Sequence, residues 1–193
     1  MSRKISGPVH LKLCLLGDGK VGKTSLRRRY LGQGFSTEYL ETLGADFAIK
    51  RTVFAGLVFR FQIWDIAGQP RFSELRKAFF MGSQAAIVLY DISNPATISS
   101  VDNWVRELWA NNGKGPHLPI VIVGNKVDLR RKVDTAVPGS EGRELAEQLS
   151  EEVSLPFTIP FLETSALTGT NVDVAFQTII QHFMQLHNLE PQD

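Results

Sequence analysis

Residues 17–24 read Gly-Asp-Gly-Lys-Val-Gly-Lys-Thr, the pattern G-x-x-x-x-G-K-[ST], and no other stretch of the chain restricts its fold as strongly. Glycines let backbone N–H groups turn inward around anionic oxygens, Lys23 adds a point charge, and the Thr24 hydroxyl can reach a magnesium ion. Such a loop works where a strand hands over to a helix, and the flanks fit. Val9 to Leu16 is a short apolar run broken by His10 and Lys12, which predicts a strand entering a buried sheet. Lys23 to Leu31, ended by Gly32, predicts a helix whose N-terminal dipole faces the bound phosphates.

The remaining pattern keeps alternating strand and helix. Gln33 to Gly44 has no period and reads as a loop that orders on demand. Phe47, Ile49 and Val53, then Ala55-Gly56, then Phe59, Phe61 and Ile63 predict a two-stranded hairpin. Ala85 to Tyr90, Pro119 to Val123 and the short Phe161-Leu162 predict buried parallel strands. Val101, Trp104, Val105 and Leu108 share one helical face, Val172 to Leu186 forms an amphipathic closing helix, and a weaker helix starts near Ser140. The fold class is therefore α/β: a doubly wound, six-stranded, mostly parallel sheet with one antiparallel edge strand and helices on both faces. Sites in such sheets lie beyond the carboxyl ends of the strands. Residues 1–8 read as an N-terminal extension, 9–187 as one domain and 188–193 as a short tail. Arg130 to Pro160, which carries Pro138, Gly139, Pro156 and Pro160, is where insertions are tolerated.

Composition narrows the partners. A chain of 193 residues with net charge +1 carries no long-range field that would draw nucleic acid or anionic lipid. The basic runs Arg27-Arg28-Arg29 and Arg130-Arg131-Lys132 read as solvated surface. The single cysteine, Cys14, excludes an internal disulfide and reads as a core residue. The apolar run after Arg3 and Lys4 is too short and broken for a signal peptide, which predicts a cytoplasmic protein. His10, His117, His182 and His187 lack ligand spacing.

Three further constellations carry chemistry. Asp65 follows the second hairpin strand, where a carboxylate can hold magnesium through water; Gly68 can bring its N–H to a terminal phosphate, and Gln69 has the donor and acceptor needed to orient an attacking water. Asn125-Lys126-Val127-Asp128 ends a strand. Asp128 offers only acceptors, which match the two adjacent donors of guanine and not the edge of adenine. The stem of Lys126 can cover one face of the base, with Phe35 a candidate for the other. Ser165-Ala166-Leu167 follows the last strand and would turn backbone N–H groups toward the base oxygen.

With these motifs in this order, from about Val9 to Leu186, the chain resembles the Ras superfamily of small GTPases. Thr42-Leu43-Gly44-Ala45-Asp46-Phe47, Trp64 and Phe79-Phe80 before Gly82 look most like its Rab branch. The resemblance implies a monomeric switch that binds GTP or GDP with magnesium, hydrolyses GTP to GDP and phosphate, and recruits effectors in trafficking or signalling. It assigns nucleotide contacts to Gly17, Asp18, Gly19, Lys20, Val21, Gly22, Lys23, Thr24, Ser25, Phe35, Tyr39, Thr42, Gly68, Asn125, Lys126, Asp128, Leu129, Ser165, Ala166 and Leu167. Thr24, Thr42 and, through water, Asp65 would hold magnesium; Gln69 and Lys23 would be catalytic. The loops from Gln33 to Gly44 and Ile66 to Gly82 should relax when the γ-phosphate leaves. Phe47, Trp64 and Phe79 would read partners, though each fits a plain core role equally.

Three departures qualify the likeness. Ile66 stands where a threonine is usual, Pro70 where a glutamate is usual, and residues 187–193 contain no cysteine, so the prenyl anchor typical of Rab proteins has no attachment point on this chain. A protein of this kind would need a GTPase-activating protein, since Leu31 to Thr42 contains no arginine, and an exchange factor is expected too. The alternative is a nucleotide-dependent binding module with little hydrolysis, supported by Ile66 and Pro70. A P-loop ATPase is opposed by Asn125 to Asp128.

Overall fold

A computed structural model describes residues 7–34 and 42–190. Strand β1, Val9–Leu16, enters the sheet and hands over to helix α1, Lys23–Tyr30. Strands β2, Ala45–Phe54, and β3, Leu57–Ile66, form the hairpin. Its two-residue turn puts Ala55 at φ 48° and Gly56 at φ 74°, the paired positive values that a twisted hairpin favours. Helix α2, Ser73–Phe80, precedes β4, Ala85–Asp91, then come α3, Val101–Asn111, β5, Ile120–Asn125, α4, Gly139–Glu151, β6, Phe161–Glu163, and α5, Val172–His187.

The strand order is β2-β3-β1-β4-β5-β6, with β2 antiparallel to β3 and the remaining pairs parallel. The chain leaves β1 toward β3 and returns on the other side of β1 as β4. The phosphate loop departs at that reversal, where open α/β sheets bind ligands. Leu11, Leu13 and Leu15 face a core shared with α1 and α5, while Cys14 and Leu16 face a second core beneath α3 and α4. Alternation along one central strand thus supplies both layers.

Two expectations change. The stretch from Ile66 to Gly82 holds a 3-10 turn, Pro70–Phe72, and helix α2 where the sequence reads as loop. The residues α2 buries are Arg76 and Phe80, so a charge sits on its inner face and no apolar period appears. The run Arg27-Arg28-Arg29 is not simply solvated: Arg27 is 8% exposed and pairs with Asp46 at 2.5 Å, because α1 packs this face against β3 and the hairpin.

Candidate functional site

Helix α1 opens at Lys23 with neither a side-chain cap nor an acidic residue in its first turn, which leaves its first N–H groups to an outside anion. Gly22 precedes it at φ 101°, and a Cβ there would stand 2.3 Å from Asn125 Nδ2. Only glycine permits both that backbone and that contact. Lys23 is buried and its Nζ donates to the carbonyls of Gly17 at 2.6 Å and Asp18 at 2.8 Å, so it spans its own loop. Burial pushes its ammonium down to about 8, against the raising influence of Asp65 and Asp18. Asp18 is fixed by Trp104 on α3, whose Nε1 donates to its Oδ1 at 2.8 Å. Lys20 takes φ 70°, so its peptide turns with the loop.

Next to this loop three parts of the chain meet. Thr24 Oγ1 donates to Asp65 Oδ2 at 2.5 Å and lies 3.2 Å from Thr42 Oγ1. Asp65 Oδ1 is buried with no hydrogen-bond partner, and burial raises that carboxyl above its usual range. An orphaned acceptor beside two hydroxyls fits a hard cation that takes oxygen ligands and keeps its waters. Among the described residues no group of three His, Cys, Asp or Glu side chains could hold a metal, so any magnesium here would depend on phosphate oxygens as well.

The base end is built by side chains holding side chains. Asn125, the last residue of β5, donates Nδ2 to Val21 O at 2.9 Å; its Oδ1 accepts Thr164 Oγ1 at 3.0 Å and Ala166 N–H at 3.3 Å. It therefore bolts the phosphate loop to the segment after β6. Asp128 Oδ1 accepts Ser165 Oγ at 2.5 Å. Lys126, at φ 70°, sends Nζ to Asp91 Oδ2 at 2.6 Å, which sets the direction of its stem. Ser165 N–H is committed to Thr170 O, while Leu129 donates to Lys126 O and closes the turn after Lys126. Ser25 and Leu129 are half-buried in the same end of the molecule.

On the phosphate side Gly68 presses backbone against backbone: a Cβ there would be 2.4 Å from Asp18 C and 2.5 Å from Gly19 N. The Gln69 side chain lies over Gly19, whose notional Cβ would be 3.9 Å from Gln69 Cγ and Nε2, and Gln69 Oε1 is buried without a partner. Phe35 and Tyr39 lie outside the described residues. Every other residue expected at the site falls at this one end of the sheet. Sequence reasoning missed Asp91, Trp104 and Thr164. Asp91 was detectable as the polar residue closing an apolar strand; Trp104 was hidden by its place in a helical apolar period.

Phe47 stacks on Trp64 with centroids 5.2 Å apart, and Trp64 meets Phe79 at 5.7 Å. Phe47 is 54% exposed, whereas Trp64 and Phe79 are half-buried, so the three rings make one continuous ledge between surface and core. No described helix is long and apolar enough to cross a membrane.

Comparison with known proteins agrees with this geometry. Residues 12–185 match the family model described as the Ras family. The chain is 40% identical over 179 residues to the Ras-related protein Rab7 of Drosophila melanogaster, covering 91% of this chain and 81% of that protein. It is 38% identical over 172 residues to Rab7 of Pisum sativum and, over the same length, to RABG3f of Arabidopsis thaliana, covering 88% of this chain and 80% of each relative.

Proposed function

Because this chain belongs to the Ras family, it is a small GTPase of the Rab branch, and we propose how its own residues carry out that activity. The protein binds GTP and GDP with magnesium, hydrolyses GTP to GDP and phosphate, and works as a two-state switch read by effectors and adjusted by activating and exchange proteins.

In our reading the loop from Gly17 to Thr24 and the open N-terminus of α1 hold the phosphates, with Lys23 and the loop amides stabilising charge between the β- and γ-phosphates. Thr24, Thr42 and Asp65 would hold magnesium, which when bound would supply positive charge beside the phosphates. Gln69 orients the water that attacks in line. Asp128 selects guanine by accepting from the two adjacent donors of the base, Lys126 covers one face of it with Phe35 the candidate for the other by the family likeness, and Leu167 presents an amide to its oxygen, the Ala166 N–H being already given to Asn125 Oδ1. By the family likeness alone, Tyr39 would flank the nucleotide. The observation that supports this most is the meeting of Thr24 with Thr42 and Asp65, 18 and 41 positions away, beside an unpartnered carboxylate oxygen. Holding Thr42 there would make the first switch loop respond to what the phosphate end binds.

The ledge of Phe47, Trp64 and Phe79 supports a partner-reading surface set by nucleotide state, and we propose a cytoplasmic, monomeric protein acting in a trafficking or signalling role. The alternative of a binding module with little hydrolysis is not favoured by the family likeness. Unaided turnover is slow in our reading, and an arginine supplied by a partner should raise it about a thousandfold or more. Single-turnover GTP hydrolysis by wild type and Gln69→Leu tests the mechanism. The variant should lose nearly all of the wild-type rate while retaining GDP; equal rates would remove Gln69 from the reaction.

A further inference from the structure

Arg76 is 7% exposed, an unusual place for a guanidinium. It lies on α2, yet its partners come from elsewhere. Nη1 donates to Gln69 O at 3.1 Å, the same carbonyl that accepts Phe72 N–H at 3.1 Å. Nη2 and Nε meet Glu107 on α3, with Nη2 at 3.0 Å from Oε2. The guanidinium carbon lies 4.3 Å from the Trp104 ring centroid, and Trp104 in turn donates to Asp18 of the phosphate loop. One turn of α3, from Trp104 to Glu107, therefore holds both loops that bracket the terminal phosphate.

We propose that Arg76 is a positioning residue for hydrolysis: braced by Glu107 and Trp104, it fixes the main chain of Gln69 so that the glutamine side chain stays over Gly19. The residue-70 position explains why such a brace is needed here. Pro70 has no N–H, so the amide after Gln69 cannot anchor this segment, and the carbonyl of Gln69 carries the hydrogen bonds instead. A fork with five donors can serve a carbonyl and a carboxylate together, which a lysine cannot. A buried cation with a bidentate partner also has few alternative rotamers, so the constraint reaches the Gln69 backbone with little slack.

This inference rests on the proposed role of Gln69, and the experiment separates the two. Single-turnover GTP hydrolysis and GDP affinity are measured on the nucleotide-loaded full chain. Wild type against Gln69→Leu comes first; no difference there removes the underlying reading whatever Arg76 does. Given that difference, Arg76→Ala should lower the hydrolysis rate constant by about tenfold to a hundredfold, the scale on which small misplacements act. GDP affinity should stay within about threefold, since the interaction serves the reaction and not ground-state binding. Arg76→Lys should restore little. In the Gln69→Leu background, Arg76→Ala should change the residual rate by less than about twofold, because two changes to one unit do not add. A wild-type rate for folded Arg76→Ala overturns the proposal, and so does an equal fall in both backgrounds. If Arg76→Ala does not fold, Glu107→Gln keeps the shape of the brace and weakens its charge. That variant should show a several-fold fall that disappears in the Gln69→Leu background, and an unchanged rate would overturn the proposal.

Discussion

The two halves of the nucleotide site are built differently. At the base end, Asn125, Thr164 and Ser165 are all buried and bonded to one another or to neighbouring backbone, and the groups come from the ends of packed strands. At the phosphate end Lys23 is similarly held, but Asp65 Oδ1 and Gln69 Oε1 are buried without partners, and Thr42 reaches in from a loop. Buried polar groups lacking partners cost free energy that a ligand can recover. The base end is thus braced by its own side chains before anything binds, whereas the phosphate end leaves two buried acceptors for what it binds. A switch needs this inequality: base recognition keeps the nucleotide bound in both states, and only the unfinished half responds to a lost phosphate.

Breaking the finished half should cost most. Asn125→Ala would strand Val21 O, Thr164 Oγ1 and the Ala166 N–H, so denaturant unfolding of the nucleotide-bound protein should fall by about 3 kcal/mol. Guanine nucleotide affinity should fall with it, which equilibrium titration would measure. In the unfinished half, Gly68→Ala would force the segment off the phosphate loop, since no rearrangement of a flexible side chain can relieve contacts to backbone atoms. Hydrolysis should drop by about a hundredfold with GDP affinity nearly kept, a split that single-turnover kinetics and titration resolve. If Gly68→Ala weakened GDP as strongly as GTP, the two halves would not be separable as argued.

Smaller effects sharpen the contrast. Asp91→Asn removes the charge that directs Lys126; GDP affinity should weaken by several-fold to tenfold, about 1 kcal/mol, while the hydrolysis rate constant stays constant. Remote from both halves, His182 stacks on Phe157 at 4.0 Å, and burial lowers its imidazole below the usual 6.5. The unfolded chain takes up that proton first as pH falls, so the stability that neutral His182 contributes is complete above about 6.5 and is lost as pH drops through the folded-state value. His182→Phe should flatten the acid side of a thermal-stability profile slightly and leave nucleotide affinity unchanged.

Most elements were legible because they depend on local pattern. The apolar runs at β4 and β5, the Ala55-Gly56 turn and the face of α5 appear where their periods and turn residues predict. Helix α2 was not legible, since its buried face carries Arg76 and its Leu75 points outward at 55% exposure. The strand predicted over Pro119 to Val123 runs from Ile120 to Asn125, a shift of one or two residues of the kind that element ends allow. A basic run has no pattern that distinguishes Arg27, the one residue of the three that faces Asp46, from its solvated neighbours.

By itself the sequence determined the phosphate-loop pattern, the carboxylate of Asp128 and the amide of Gln69 to which we assign base selection and water orientation, and the alternating layout that puts them at one end of a sheet. These follow from groups whose chemistry is set by their own type and near neighbours: glycines for positive φ, a carboxylate for paired donors, an apolar period for a buried strand. Only the tertiary structure decided that Asp91 directs Lys126, that Trp104 holds Asp18 and that Arg76 holds Gln69. Each of those bonds joins residues on separate elements, and which elements meet depends on how helices pack on a sheet, a choice that no local spacing records.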